Sequence, residues 1–139
     1  MPCPPLTSRC DEKHRILSTL VLLGAFGSTA WAQQSGISRT DLLKQPLSVP
    51  DREVVQVRVG FALGAFAPEH RHPGEEVAYV LEGTLEYRLD GGAPITLEAG
   101  KTLFIPAGAV HSARNVGAGQ AVELATYVVE PGKPLVAKP

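Results

Sequence analysis

The chain has 139 residues, 44% of them apolar and 19% charged. That is enough for one small domain with a core, and too apolar for a disordered chain. A formal net charge of −1 offers no basic surface to nucleic acid or to an anionic membrane.

Residues 1–32 read as a secretory signal peptide. Arg9, Lys13 and Arg15 lie ahead of an apolar run from Ile16 to Ala30, and Ala30-Trp31-Ala32 places small residues at −3 and −1 of a cut before Gln33. The run is short for a membrane span. The expected product is therefore exported, periplasmic or secreted, with no membrane segment in the mature form. Cys3 and Cys10 leave with the signal, so the mature domain forms no internal disulfide.

Residues 33–52 form a leader. Its first part is polar, and its second (RTDLLKQPLSVP) carries prolines that keep any helix short, so it lies across the domain or pairs as an edge strand. Residues 53–130 read as β. Val55, Val57, Val59 and Phe61 alternate with Gln56, Arg58 and Gly60, the period of a half-buried strand. Further strands are expected over 76–82, 84–89, 94–98, 101–105, 110–116 and 120–130, broken by Gly83, Asp90-Gly91-Gly92, Ala99-Gly100, Pro106-Ala107-Gly108 and Gly117-Ala118-Gly119. Asp90-Gly91 is a two-residue hairpin signal. Short strands, tight turns and no long helix give an all-β sandwich or barrel. Residues 131–139 are a Pro- and Lys-containing tail with little to anchor it.

His70, His72 and His111 are the only histidines after residue 32. His70 and His72 are two apart, so on a strand both imidazoles face the same side. Glu76 follows the Pro73-Gly74 bend, which lets the chain return toward the same centre, and His111 on a later strand can close the site from the opposite wall. Imidazoles suit zinc, copper, iron or nickel; two histidines and a carboxylate with open positions suit non-heme iron.

Two segments carry a resemblance to a known family. Gly64 to Gly83 (GAFAPEHRHPGEEVAYVLEG) has Gly, five residues, His-x-His, three residues, Glu, six residues, Gly. Gly100 to Asn115 (GKTLFIPAGAVHSARN) has Gly, five residues, Pro-x-Gly, two residues, His, three residues, Asn. These resemble the two cupin motifs, with all ten specified positions filled and 16 residues between them. The resemblance implies a cupin-type jelly-roll β-barrel. It further implies one divalent metal ion (Fe, Mn, Zn, Ni or Cu) on His70, His72, Glu76 and His111, with positions left open. The motif spacing selects Glu76, with Glu75 as the fallback. Asn115 reads as a turn or hydrogen-bonding residue.

Such a site suits a dioxygenase acting on a small enolic or aromatic molecule. It equally suits a metal-dependent isomerase or lyase, or a binding protein for a small ligand without turnover. Strand parity puts Ala78 and Val80 beside Glu76, and Ala113 and Asn115 beside His111, so the cavity is expected to be modest and largely apolar. No general base beyond the ligands is evident, and no catalytic residue is assigned. Tyr79 and Arg114 should face outward; Arg58, Tyr87 and Tyr127 are weak candidates for a cavity mouth. The outer row Val77, Tyr79 and Leu81 is apolar enough to suggest a homodimer.

Overall fold

The structure, a computed structural model, describes residues 36–139; the expected signal peptide and the first residues of the leader lie outside them. Nine strands follow in order: β1 (Ile37–Pro46), β2 (Glu53–Phe61), β3 (Phe66–His70), β4 (Glu75–Glu82), β5 (Thr84–Leu89), β6 (Ile95–Glu98), β7 (Thr102–Ile105), β8 (His111–Asn115) and β9 (Ala121–Val129). They form two antiparallel sheets, β1-β2-β9-β4-β7 and β3-β8-β5-β6, and the fold is an all-β jelly roll.

Alternation decides which side chains meet between the sheets. Val55, Val57, Val59 and Phe61 of β2 all point inward, joined by Ala78 and Val80 of β4, Leu85 and Tyr87 of β5, and Ala125 and Tyr127 of β9. Arg58 and Arg114 are on the outside, Arg114 lying over the Phe66 ring at 4.4 Å. The outer faces of β4 and β7 carry Val77, Tyr79, Leu81 and Phe104 exposed, Val77 opposite Phe104 in register.

The turns follow their residues. Asp90 and Gly91 both have positive φ, 47° and 69°, and the Gly92 N–H donates to Leu89 C=O at 2.8 Å. This is the tight turn that the Asp-Gly pair specifies. Asp90 also accepts the Val110 N–H on Oδ1 at 3.0 Å and donates its own N–H to Val110 C=O at 2.7 Å, which pins the approach to His111. Gly74 serves by smallness: a Cβ there would overlap the Val128 carbonyl. That close approach lets β4 begin against β9 immediately after the bend.

Residues 131–139 are docked, against the expectation of a loose tail. Arg71 and Ala137 exchange two backbone hydrogen bonds, each 3.0 Å, and Leu135 packs on the core. The apolar Leu135 two residues before the bridge supplies the anchor.

Asn115 acts as an internal clasp. It is buried; its Nδ2 faces the carbonyls of Phe61, Ala62 and Gly119 at 3.1, 3.0 and 2.8 Å, and its Oδ1 accepts the Gly117 N–H at 3.0 Å. Asn115→Ala leaves those backbone groups without their partner. It should lower unfolding free energy by about 2–3 kcal/mol in urea titrations, while an unchanged midpoint would deny the clasp its role.

Candidate metal centre

The register of β3 on β8 sets His70 directly opposite His111, and their ring centroids are 4.2 Å apart. His72 lies just past the end of β3 rather than on it, but the Arg71–Ala137 bridge keeps the chain extended there, and its ring stands 5.0 Å from each of the others. The three imidazoles bring a ligating nitrogen each within 4.8 Å of one another and can hold a metal ion. Glu76 is inward on β4, with Oε2 3.0 Å from His72 Nε2 and 3.3 Å from His111 Nε2. Glu75, its neighbour, pairs with Val128 on the other face by alternation.

Backbone carbonyls fix the three rings. His70 Nδ1 meets Pro68 C=O at 2.7 Å, His72 Nδ1 meets Leu135 C=O at 2.6 Å, and His111 Nδ1 meets Ala109 C=O at 3.0 Å. A carbonyl only accepts, so each Nδ1 carries a proton, and a ring in its neutral form turns an Nε2 lone pair to the centre. His72 Nε2 and Glu76 Oε2 are buried with no hydrogen bond between them. Two acceptors 3.0 Å apart repel unless a cation lies between. Two ligand atoms about 2.1 Å from one ion and at right angles stand about 3 Å apart. The donor set therefore fits a divalent cation.

The electrostatics describe the centre without metal, where a proton takes the cation's part. Burial and the neighbouring His111 push His70 down to about 4, keeping it neutral. Burial would raise Glu76, but the imidazoles of His111 and His72 outweigh it and hold the carboxyl below its usual range. Burial lowers His111, yet Glu76 and the Ala109 carbonyl more than offset this and raise it. Glu76 and His111 thus favour each other's charged forms when no cation lies between them.

The inner wall is less apolar than strand parity suggested. Glu123 of β9 is buried, 4% exposed, in the row Arg39, Val59, Glu123, Val80 across the five-stranded sheet. Burial and then the Glu76 carboxylate push it well above the ordinary range, so it holds a proton, with the charge of Arg39 opposing. Tyr127 lies opposite Glu76 in register, its ring 4.7 Å from that of His72. The Tyr87 hydroxyl is buried without a hydrogen bond. Both phenols are raised by burial and by the neighbouring acidic residues Glu76 and Glu123. The tyrosines thus line the interior rather than its mouth, while Arg58 stays outside. A proton-holding group beyond the histidines and Glu76 does exist. An acidic residue at an inward position of β9 was the available signal, but Val122, Leu124 and Val128 make that strand apolar on both faces and hide its parity.

Residues 57–132 match the family described as Cupin domain. Over 134 residues the chain is 30% identical to oxalate oxidase 2 of Hordeum vulgare, covering 91% of this chain and 58% of that protein. Over 51 residues it is 37% identical to dimethylsulfoniopropionate lyase DddQ of Ruegeria pomeroyi, covering 37% of this chain and 25% of the lyase. The chain spans less than two thirds of the length of either relative. Among solved structures it is similar to an oxalate oxidase with a TM-score of 0.60 and 26% identity, over 74% of this chain and 55% of the other. The structure of the Ruegeria pomeroyi lyase gives 0.62 at 22% identity, over 74% and 51%, a likeness of fold.

Glu123 has a sign that can be measured on metal-free protein. Its folded-state pKa lies above its ordinary value of 4.5, so its burial favours the fold below that pH, and the contribution is lost as pH rises. Glu123→Gln should melt above the parent at pH 8, the gap closing toward pH 4.5. A gap independent of pH would show that Glu123 is ionised in the folded chain.

Proposed function

The chain belongs to the cupin domain family, and on that premise we propose a metal-dependent enzyme that oxidises a small enolic or aromatic molecule, using one divalent ion on His70, His72, Glu76 and His111. The observation that carries it is the convergence of lone pairs: three Nδ1 protons donated to carbonyls, with Nε2 of His72 and Oε2 of Glu76 buried and unpartnered at the centre. An ion bound there would supply Lewis-acid binding of a chelating molecule and a route to oxidation. The protein's part is to orient that molecule and exclude water. Ala78, Val80 and Ala113 give a smooth apolar wall, Glu123 keeps a proton beside Glu76, and Tyr87 places a buried hydroxyl beside Glu123.

A second reading is a lyase or isomerase. The buried phenols of Tyr87 and Tyr127 favour it, since a proton-transfer reaction needs a group that can give or accept a proton, and similarity to a lyase over 51 residues supports it. Metal analysis of protein from its own host, then oxygen uptake with catechols, flavonols, β-diketones and oxalate, separates the readings. Oxygen consumed in step with substrate supports the oxidative enzyme. Turnover without oxygen supports the lyase or isomerase, and saturable binding without turnover a ligand-binding protein. Export after removal of residues 1–32 belongs to the same proposal.

The ligand set is tested directly. His70→Ala, His72→Ala, His111→Ala and Glu76→Gln should each weaken metal binding by about tenfold or more, and Glu75→Gln should leave it nearly unchanged. Affinity should fall as pH drops through the imidazole range near 6.5, with His111 protonating first because Glu76 raises it. Equal losses in the two Glu variants would remove Glu76 from the set.

We also propose a homodimer joined through the outer faces of β4 and β7, where Phe104 is 58% exposed beside Val77, Tyr79 and Leu81. Light scattering at micromolar concentration should give a dimer, and Phe104→Glu a monomer. A monomeric parent would sink the idea.

A further inference from the structure

The three histidines take their orienting carbonyls from different distances along the chain. Pro68 and Ala109 lie two residues before His70 and His111, so those two rings are set by their own local backbone. His72 takes Leu135, 63 residues away. The segment that brings Leu135 is held mainly by the paired hydrogen bonds of Ala137 with Arg71, the residue between two of the histidines, and by the Leu135 side chain on the core. Residues 131–133 leading into it are turn and bend, and 131–134 are exposed.

We infer that residues 134–137 are a positioning strap for His72: docking the strap fixes the ring with its proton on Nδ1, and so sets the metal affinity of the centre proposed above. The physical reason is local. His72 is buried, 4% exposed, and without the Leu135 carbonyl its Nδ1–H loses the protein acceptor that fixes the ring. The ring would then turn, or move its proton to Nε2 and lose the lone pair that faces Glu76. His70 and His111 keep their own carbonyls, so the effect is confined to one ligand of the set. Docking and metal binding then favour each other reciprocally. The inference rests on the metal reading for its effect on affinity, but not for its effect on the ring.

Two variants test it: a chain ending at Lys133, and Ala137→Pro, which removes one hydrogen bond of the bridge while retaining the Leu135 carbonyl. In the metal-free parent, nitrogen NMR should report His72 with its proton on Nδ1. In the shortened chain that signature should be lost for His72 and kept for His70 and His111, and Ala137→Pro should fall between. Titration with Zn²⁺ should show about 10–100-fold weaker binding by the shortened chain, with the β-sheet circular dichroism of the parent. An unchanged His72 signature in both variants overturns the strap. If the shortened chain fails to fold, Ala137→Pro decides alone. A parent that takes up no Zn²⁺ while the His72 signature still responds would sink the metal reading and keep the strap as what positions the ring.

Discussion

The constraint on which the rest depends is the donation of three imidazole Nδ1 protons to three backbone carbonyls. Each of those bonds is an ordinary one, yet together they do what no single side chain can. They fix a proton on the outer nitrogen of every ring and leave the inner nitrogens facing one another and a carboxylate. Such a convergence of acceptors is costly in a protein interior unless a proton or a cation lies among them. It persists because the rings are held from behind by main chain that belongs to the barrel, not by each other.

The barrel supplies that rigidity through register. His70 opposite His111 on β3 and β8, and Glu76 opposite Tyr127 on β4 and β9, bring both sheets to one centre. The fold's stability comes from elsewhere, from the apolar rows of β2, β5 and β9, so the site is free to carry the unfavourable acceptor cluster. Small residues, Ala78, Ala113 and Ala125, keep the sheets from filling the space beside the ligands. Gly74 lets the chain turn back from His72 to Glu76 within four residues.

Much of this was legible in the sequence, for a physical reason. Period-two alternation and Gly-bounded turns are local properties, so the strands from β4 to β9 and the Asp90-Gly91 turn could be read from neighbouring residues alone. His-x-His and the Pro73-Gly74 bend are local too. What escaped was everything that depends on register between distant strands. Glu123 is unremarkable on a strand apolar on both sides, and becomes a buried acid only when β9 is laid between β2 and β4. The Leu135 carbonyl has no sequence signature at all, since a backbone oxygen is present at every position. The tail looked unanchored because the two hydrogen bonds that hold it are main chain to main chain.

The two interior carboxyls complete the picture. Glu76 and Glu123 sit in one barrel, and burial acts on both in the same direction, toward the protonated form. Their fates divide because only Glu76 has imidazoles within 3.0 and 3.3 Å. Once Glu76 is ionised, its charge adds to the burial of Glu123 and keeps the second acid neutral, so the first ionisation enforces the second protonation. The same pair in bulk water would both be charged at neutral pH. The division of roles, one group presenting charge to the centre and the other retaining a proton behind it, thus follows from which strand faces the histidines. It is a property of β4 and β9 in register rather than of glutamate itself.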